Sequence, residues 1–331
     1  MSQRSLLSRR RLLLAAAASP ALVGLSRSRA MAANEYPSRS VKVLIPYSAG
    51  GGADTVGRIL FAKLSQIMGQ QFVIENRGGG GGTIGATVVS KAERDGYTIL
   101  YDATTFSTNP SLYAKLPYDT VKDFQPVFLA SLVTNFLLVN NSVPAKTVAD
   151  VIAIAKADPN GLNWASSGNG SVQHLCLEMF KHMANVKLNH VPYRGGGPAL
   201  NDLIAGQVKY FFSNAASSLG HVQSGTLRAI AHTGKERLAS MPDLPIVAET
   251  LPGFVAYEWN GVFVPSGCAP EIVQKLNAGL NATLRDPQVA KRLKELNVEA
   301  RENTPDEFRT FVASEIEKWG KVIHEANIKL G

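Results

Sequence analysis

Five times along this chain a short apolar run, without helical period, ends in a small, polar or glycine-rich loop that opens a helix. The loops lie at 47–54, 77–83, 166–171, 194–198 and 213–218. No other feature restricts the fold as much. Strand, loop, helix, strand in that rhythm needs crossover connections, and crossovers join parallel strands. The chain is therefore expected to be α/β, with mainly parallel sheets and flanking helices. In such sheets the loops gather at the carboxyl edge, where ligands bind.

The first expected strand spans 41–45 and stops at Pro46. Asp54 is the expected N-cap of a helix whose apolar positions are Val56, Ile59, Leu60, Leu64 and Ile67. Strands at 72–75 and 97–101 follow, with a glycine loop at 78–82 and a helix over 83–92 between them. The pattern restarts with a strand at 136–139. Thr147 and Asp150 then approximate a capping box for a helix over 148–157. Strands at 162–165, 190–193, 208–212 and 227–231 alternate with helices over 172–183 and around 200–204. Two helices close the chain, the last with Thr304 as cap, Pro305 at its first position and Glu307 completing the box. The body reads as two consecutive α/β units.

The chain has 331 residues, with 34 Lys and Arg against 26 Asp and Glu. That excess invites a nucleic-acid reading until it is located. Residues 1–32 hold six arginines and no acid, which leaves 28 basic against 26 acidic residues in the remainder. No basic patch is interleaved with aromatics, so nucleic acid is not an expected partner. The leader is an expected export signal. Residues 1–11 are basic, 12–25 are an apolar stretch of 14 residues, and Ala30-Met31-Ala32 is a small-x-small cleavage site. The stretch is shorter than the about 20 residues that span hydrocarbon. Ser8-Arg9-Arg10-Arg11-Leu12-Leu13 resembles the twin-arginine signature. The mature chain is expected to begin near Ala33 and to work in the periplasm. That compartment permits a disulfide, and Cys176 and Cys268 are compatible with a bridge or with two separate thiols.

Glycine loops let backbone N–H groups face an anion, and the positive end of a helix adds attraction. Five such loops favour a cleft for a small ligand carrying carboxylate or phosphate. A competing reading comes from Gly80-x-Gly82-x-x-Gly85, which fits the dinucleotide fingerprint and has Asp102 seventeen residues on. It would make the protein a nicotinamide-dependent oxidoreductase. Against it, the chain has no G-x-x-x-x-G-K-[ST], G-x-S-x-G, S-x-x-K or H-E-x-x-H pattern and no evident acid–base constellation. His174, Glu178 and His182 fall one turn apart on a helix, as a metal site or as a solvated stripe. The expectation is a non-enzymatic protein with no cofactor and no metal.

Ordered segments along the chain carry a family resemblance. They include Tyr36-Pro37-Ser38-Arg39, Ile45-Pro46-Tyr47-Ser48-Ala49-Gly50-Gly51-Gly52-Ala53-Asp54, Val73-Ile74-Glu75-Asn76-Arg77 and Asp95-Gly96-Tyr97-Thr98. Further on stand Leu116-Pro117-Tyr118-Asp119, Ala165-Ser166-Ser167-Gly168-Asn169-Gly170, His190-Val191-Pro192-Tyr193-Arg194-Gly195 and Glu317-Lys318-Trp319-Gly320. From Tyr36 to about Leu330 the chain resembles the Bug-type periplasmic solute-binding receptors of tripartite tricarboxylate transporters. The resemblance implies a two-lobe type II periplasmic-binding fold, with 34–135 plus 258–331 in one domain and 136–257 in the other. It implies a small organic acid as ligand, and membrane transporter subunits or a sensor protein as partner of a monomer. By match to the family's motifs, the ligand would meet Tyr47, Ser48, Gly51, Asp54 and Thr83 from the first lobe. Ser167, Gly168, Gly170, Ser171, Gly195 and Asn214 would meet it from the second. Arg194, where the family often has lysine, is a charged alternative or a solvated rim residue.

Overall fold

The computed structural model describes residues 36–325 and 328; the export signal expected at 1–32 lies outside the described residues. In chain order the first elements are β1 (Val41–Ile45), α1 (Gly52–Met68), β2 (Phe72–Asn76), α2 (Thr83–Ser90), β3 (Thr98–Ala103), α3 (Thr105–Leu112) and β4 (Phe124–Asn140). Next come α4 (Val148–Ala157), β5 (Leu162–Ser166), α5 (Val172–Ala184), β6 (Leu188–Pro192), α6 (Gly196–Ile204), β7 (Tyr210–Asn214), α7 (Ala215–Gln223) and β8 (Leu227–His232). The last are β9 (Tyr257–Pro265), α8 (Pro270–Arg285), α9 (Pro287–Glu295), β10 (Val298–Glu299) and α10 (Pro305–Glu325).

The crossover units deliver the expected parallel pairings. β1 lies between β2 and β3, and β5 lies between β6 and β7, in both cases parallel. β4 and β9 differ. Both run antiparallel to their neighbours, so the sheets are mixed rather than mainly parallel. The cause is the connection between lobes. β4 is 17 residues long; residues 124–134 pair with β9, and 135–139 pair with β7 in the other sheet. A strand that leaves one lobe and a neighbour that returns to it must run in opposite directions. Where the pairing switches, the Thr233 N–H donates to Asn135 O at 2.9 Å, the Asn135 N–H donates to Thr233 Oγ1 at 2.9 Å, and the Ala256 N–H donates to Thr233 O at 3.0 Å. Two extended segments therefore pass side by side between the lobes.

One apolar cluster runs from Val43, Leu60 and Val262 in the first lobe to Ala165, Leu200 and Phe211 in the second, so the lobes are closed on each other. The final helix crosses between cores. Phe308 and Val312 of α10 pack with Phe106, Trp259 and Phe263, whereas Trp319 and Ile323 pack with Leu137, Trp164 and Phe212. Trp319 is fully buried and its indole N–H donates to Glu315 Oε2 at 2.8 Å, which satisfies the one polar group that burial would otherwise leave unpaired.

Both expected capping boxes form. Thr147 Oγ1 accepts from the Asp150 N–H at 3.1 Å while Asp150 Oδ2 accepts from the Thr147 N–H at 2.9 Å. Thr304 and Glu307 exchange the same pair of bonds at 3.2 and 2.7 Å. Asp54 does not cap α1. Gly51 occupies that position, and Asp54 sits in the first turn with Oδ2 accepting from the Gly50 N–H at 3.0 Å. A carboxylate in the first turn complements the positive end of the helix and here ties down the loop that precedes it. Three helices close the chain rather than two, because Asp286 ends α8 and caps α9, accepting from the Gln288 and Val289 N–H groups. α3, with Pro110 inside it, and β9 also go beyond the sequence expectation. Cys176 and Cys268 are separate buried thiols.

Candidate functional site

Five helices begin around one pocket between the lobes. From the first lobe, Gly51, Gly52 and Ala53 open α1, Ala103, Thr104 and Thr105 lead into α3, and Tyr47 and Glu258 stand beside them. From the second lobe, Ser171, Val172 and Gln173 open α5, Gly196 opens α6, and Asn214 and Ser217 open α7, with Ser167 adjacent. First-turn N–H groups have no partner inside their helix and carry the positive end of its dipole. No Lys, Arg or His lines the pocket; Glu258 is its one formally charged residue. The arrangement can hold an anion through neutral donors.

Buried bonds fix the first loop. The Tyr47 hydroxyl donates to Asp102 Oδ1 at 2.7 Å and touches Thr105 Oγ1. Burial pushes the Asp102 carboxyl up to about 7, against the bonds from Tyr47, the Ala103 N–H and Thr105 that favour its charged form. Burial also raises the Tyr47 phenol well above its ordinary value. Asp54 staples the loop from beneath, accepting from the Gly50 N–H, from Arg58 Nε at 2.9 Å and from Asn76 Nδ2 at 3.0 Å. Its burial works against ionisation, yet the bonds from Arg58, Gly50 and Asn76 together hold it below the usual carboxylate range.

In the second lobe, Ser171 and Asn214 cap their helices: Ser171 Oγ accepts from the His174 N–H at 3.2 Å, and Asn214 Oδ1 accepts from the Ala216 N–H at 3.0 Å. That cap fixes which end of the Asn214 amide is free; its buried Nδ2 is turned toward Glu258 without a hydrogen bond of good geometry. Gln173 Nε2 donates to Asn135 Oδ1 at 2.9 Å and to Glu258 Oε2, joining the lobes across the pocket floor. Burial raises the Glu258 pKa, and the Gln173, Asn214 and Asn260 amides oppose that shift.

The lobes meet backbone to backbone. The Ser48 N–H and Oγ both donate to Arg194 O, at 3.0 and 3.1 Å, and Thr108 Oγ1 donates to Gly170 O at 2.8 Å. A Cβ on Gly197 would lie 2.1 Å from Ala49 O, and one on Gly52 would lie 2.3 Å from Asn214 Cγ. Here the glycines serve closeness of approach, since neither position has a left-handed φ.

Of the residues expected at the site, Tyr47, Gly51, Ser167, Ser171 and Asn214 line the pocket. Ser48, Gly170 and Gly195 stand at the rim, where the lobes touch. Gly168 is turned inward on its own loop, its O accepting from Ser171 Oγ at 2.7 Å. Asp54 and Thr83 do not line the pocket; the Thr83 hydroxyl donates to Gly80 O at 2.8 Å. The Arg194 side chain is exposed and does not line the pocket, only its carbonyl taking part in closure. Gln173, Ser217, Thr104, Thr105 and Glu258 are additions. Gln173 lies in the first turn of a helix already placed at its loop, two residues past 166–171, and Ser217 lies within the expected 213–218 loop itself. Nothing local marks Glu258.

The dinucleotide reading gains no support. The carbonyls of Gly80 and Gly81 accept from Tyr113 and Asn109 at 2.9 and 3.0 Å, and Asp102 is buried in internal bonds. His174 stacks on His190 with centroids 3.9 Å apart, and its Nδ1 accepts from the Gly170 N–H. Burial lowers the two to about 4 and about 3. His182 is exposed, and no group of three potential metal ligands occurs among the described residues.

Comparison with known proteins places this geometry. Residues 56–328 match the family described as "Tripartite tricarboxylate transporter family receptor". BugT of Bordetella pertussis is 34% identical over 303 residues, covering 91% of this chain and 93% of its own length. The periplasmic binding protein BugD superposes with a TM-score of 0.86 at 33% identity, over 89% of this chain and 99% of that one. MatC from Rhodopseudomonas palustris, solved with bound malate, gives 0.83 at 33% identity, over 87% of this chain and 100% of its own. The two-lobe architecture is that of these binding proteins. The chain belongs to the receptor family of the tripartite tricarboxylate transporters.

Proposed function

We propose that this receptor captures a small organic acid between its lobes, in the periplasm, and presents the closed form to the membrane subunits of its transporter. The observation that carries the reading is the convergence of five helix N-termini on a pocket without a basic side chain. Backbone N–H groups and hydroxyls suit a carboxylate there, since hydrogen bonds to a charged group are the strong ones. Malate in MatC supports the same ligand chemistry.

In this reading 34–135 plus 258–331 form one domain and 136–257 the other. They hinge where β4 passes beside Thr233 and the start of β9. Contacts with both lobes favour the closed state, and the ligand's differential affinity sets how far the population shifts. The protein acts as a monomer and catalyses nothing. Tyr47, Gly51, Ser167, Ser171 and Asn214 touch the ligand, while Ser48 and Gly195 seal the rim.

A thermal-shift screen tests this. Protein stripped of carried-over ligand by unfolding and refolding is mixed with mono-, di- and tricarboxylates, aromatic acids, amino acids and nicotinamide cofactors. A ligand at 100 times its dissociation constant should add about 2.7 kcal/mol, a shift of several degrees. A shift with one acid class supports the reading; a shift with nicotinamides alone overturns it.

A further inference from the structure

Glu258 is out of place in a pocket built for an anion. It lies at the start of β9, opposite Val133 in the sheet, and is 7% exposed while lining the ligand pocket. The groups that face it are amides: Gln173 donates to Oε2, and the Asn214 and Asn260 side chains lie close by. Amide donors help a buried carboxylate stay ionised, but they bring no positive charge to balance it. A carboxylate taken out of water is stabilised chiefly by a paired cation. None of the residues lining the pocket is one.

The opposite requirement is present in the same pocket. The helix ends offer N–H donors that have no partner inside their own helices. One end of a ligand there meets N–H donors, and another meets a buried carboxyl with no cation among the lining residues. A dicarboxylate satisfies the first and sets a second negative charge near Glu258. A molecule with a carboxylate and a protonated amine satisfies both.

We propose that Glu258 determines specificity, and that the ligand is an amino-carboxylate whose carboxylate sits on the helix ends and whose ammonium pairs with Glu258. This rests on the carboxylate-receptor reading above and narrows it.

The test is calorimetric titration of the purified, ligand-stripped protein with pairs of equal length. 4-Aminobutyrate is set against succinate, 5-aminopentanoate against glutarate, and 6-aminohexanoate against adipate. In at least one pair the amino-carboxylate should bind at least tenfold more tightly. Glu258→Gln, close to isosteric, should weaken that ligand at least tenfold and tighten its dicarboxylate twin. Glu258→Asp should keep the order of preference, which separates lost charge from a damaged fold; the melting temperature of each ligand-free variant is the accompanying control. If dicarboxylates bind the unaltered protein more tightly than their amino twins in every pair, the inference is overturned and the carboxylate reading stands. If no carboxylate of either kind binds, both are overturned.

Discussion

Replacing Gly197 by alanine should weaken ligand binding without weakening the fold. Gly197 lies in the first turn of α6 with an ordinary backbone, so alanine can adopt its conformation. In the open protein the change removes a flexible residue from a helix, which stabilises by up to about 1 kcal/mol. Closure reverses the sign. The new Cβ would lie 2.1 Å from Ala49 O, where real Cβ contacts essentially never fall below 3.0 Å. The obstacle is backbone rather than a side-chain tip, so the lobes must separate. Overpacking of this kind costs about 1–3 kcal/mol. Because the closed state is the one that binds, the cost passes into affinity, a loss of about 5- to 150-fold. Calorimetry with the acid identified by the screen measures the loss, and small-angle scattering measures the radius of gyration with ligand present. Gly220→Ala is the control: it lies in α7 with nothing within 4 Å of its would-be Cβ, and should leave affinity untouched. If Gly197→Ala binds as tightly as the unaltered protein and compacts as fully, closure does not bring α6 against the 47–54 loop.

Other perturbations follow from the same contacts. Asn303→Ala removes a side chain whose Oδ1 accepts from the Leu129 N–H and whose Nδ2 donates to Leu129 O, both at 2.9 Å and buried. It should cost about 2–3 kcal/mol in urea denaturation and leave ligand affinity unchanged. Trp319→Ala opens a cavity where α10 meets the second lobe's core and should cost about 3–5 kcal/mol. An intact fold with unaltered stability would contradict the bridging role of that helix. His174 and His190 are held neutral, with folded values of about 4 and about 3. The unfolded chain therefore binds more protons below its own histidine range, so stability is full above pH about 6.5 and falls as pH drops toward 4. His190→Gln should flatten that acid limb in melting temperature against pH.

The sequence rhythm was sufficient for the crossover units and for most of the site loops, because a parallel strand, its glycine turn and its helix are neighbours in the chain. The same locality explains the gaps. The strand expected at 136–139 is the far end of β4, whose first part, Phe124 to Thr134, pairs in another lobe and carries no local sign of doing so. Asp54 looked like a cap, but it lies inside the helix and accepts from the Gly50 N–H of the preceding loop. Gly51, Ser171 and Asn214 were legible as pocket residues because helix starts are. Glu258 was not, since only the return of β9 beside β4, over a hundred positions away, sets it against Gln173 and Asn214. Thr83 followed its motif to the 77–83 loop, which does not line the pocket, and its hydroxyl bonds within that loop.

The most direct measurement is the crystal structure of the protein with the tightest-binding acid from the screen. The account expects a carboxylate between the lobes, its oxygens within hydrogen-bond distance of N–H groups at the starts of α1, α5, α6 or α7. A carboxylate held instead by the Arg194 guanidinium, or a ligand seated outside the interlobe pocket, would contradict it.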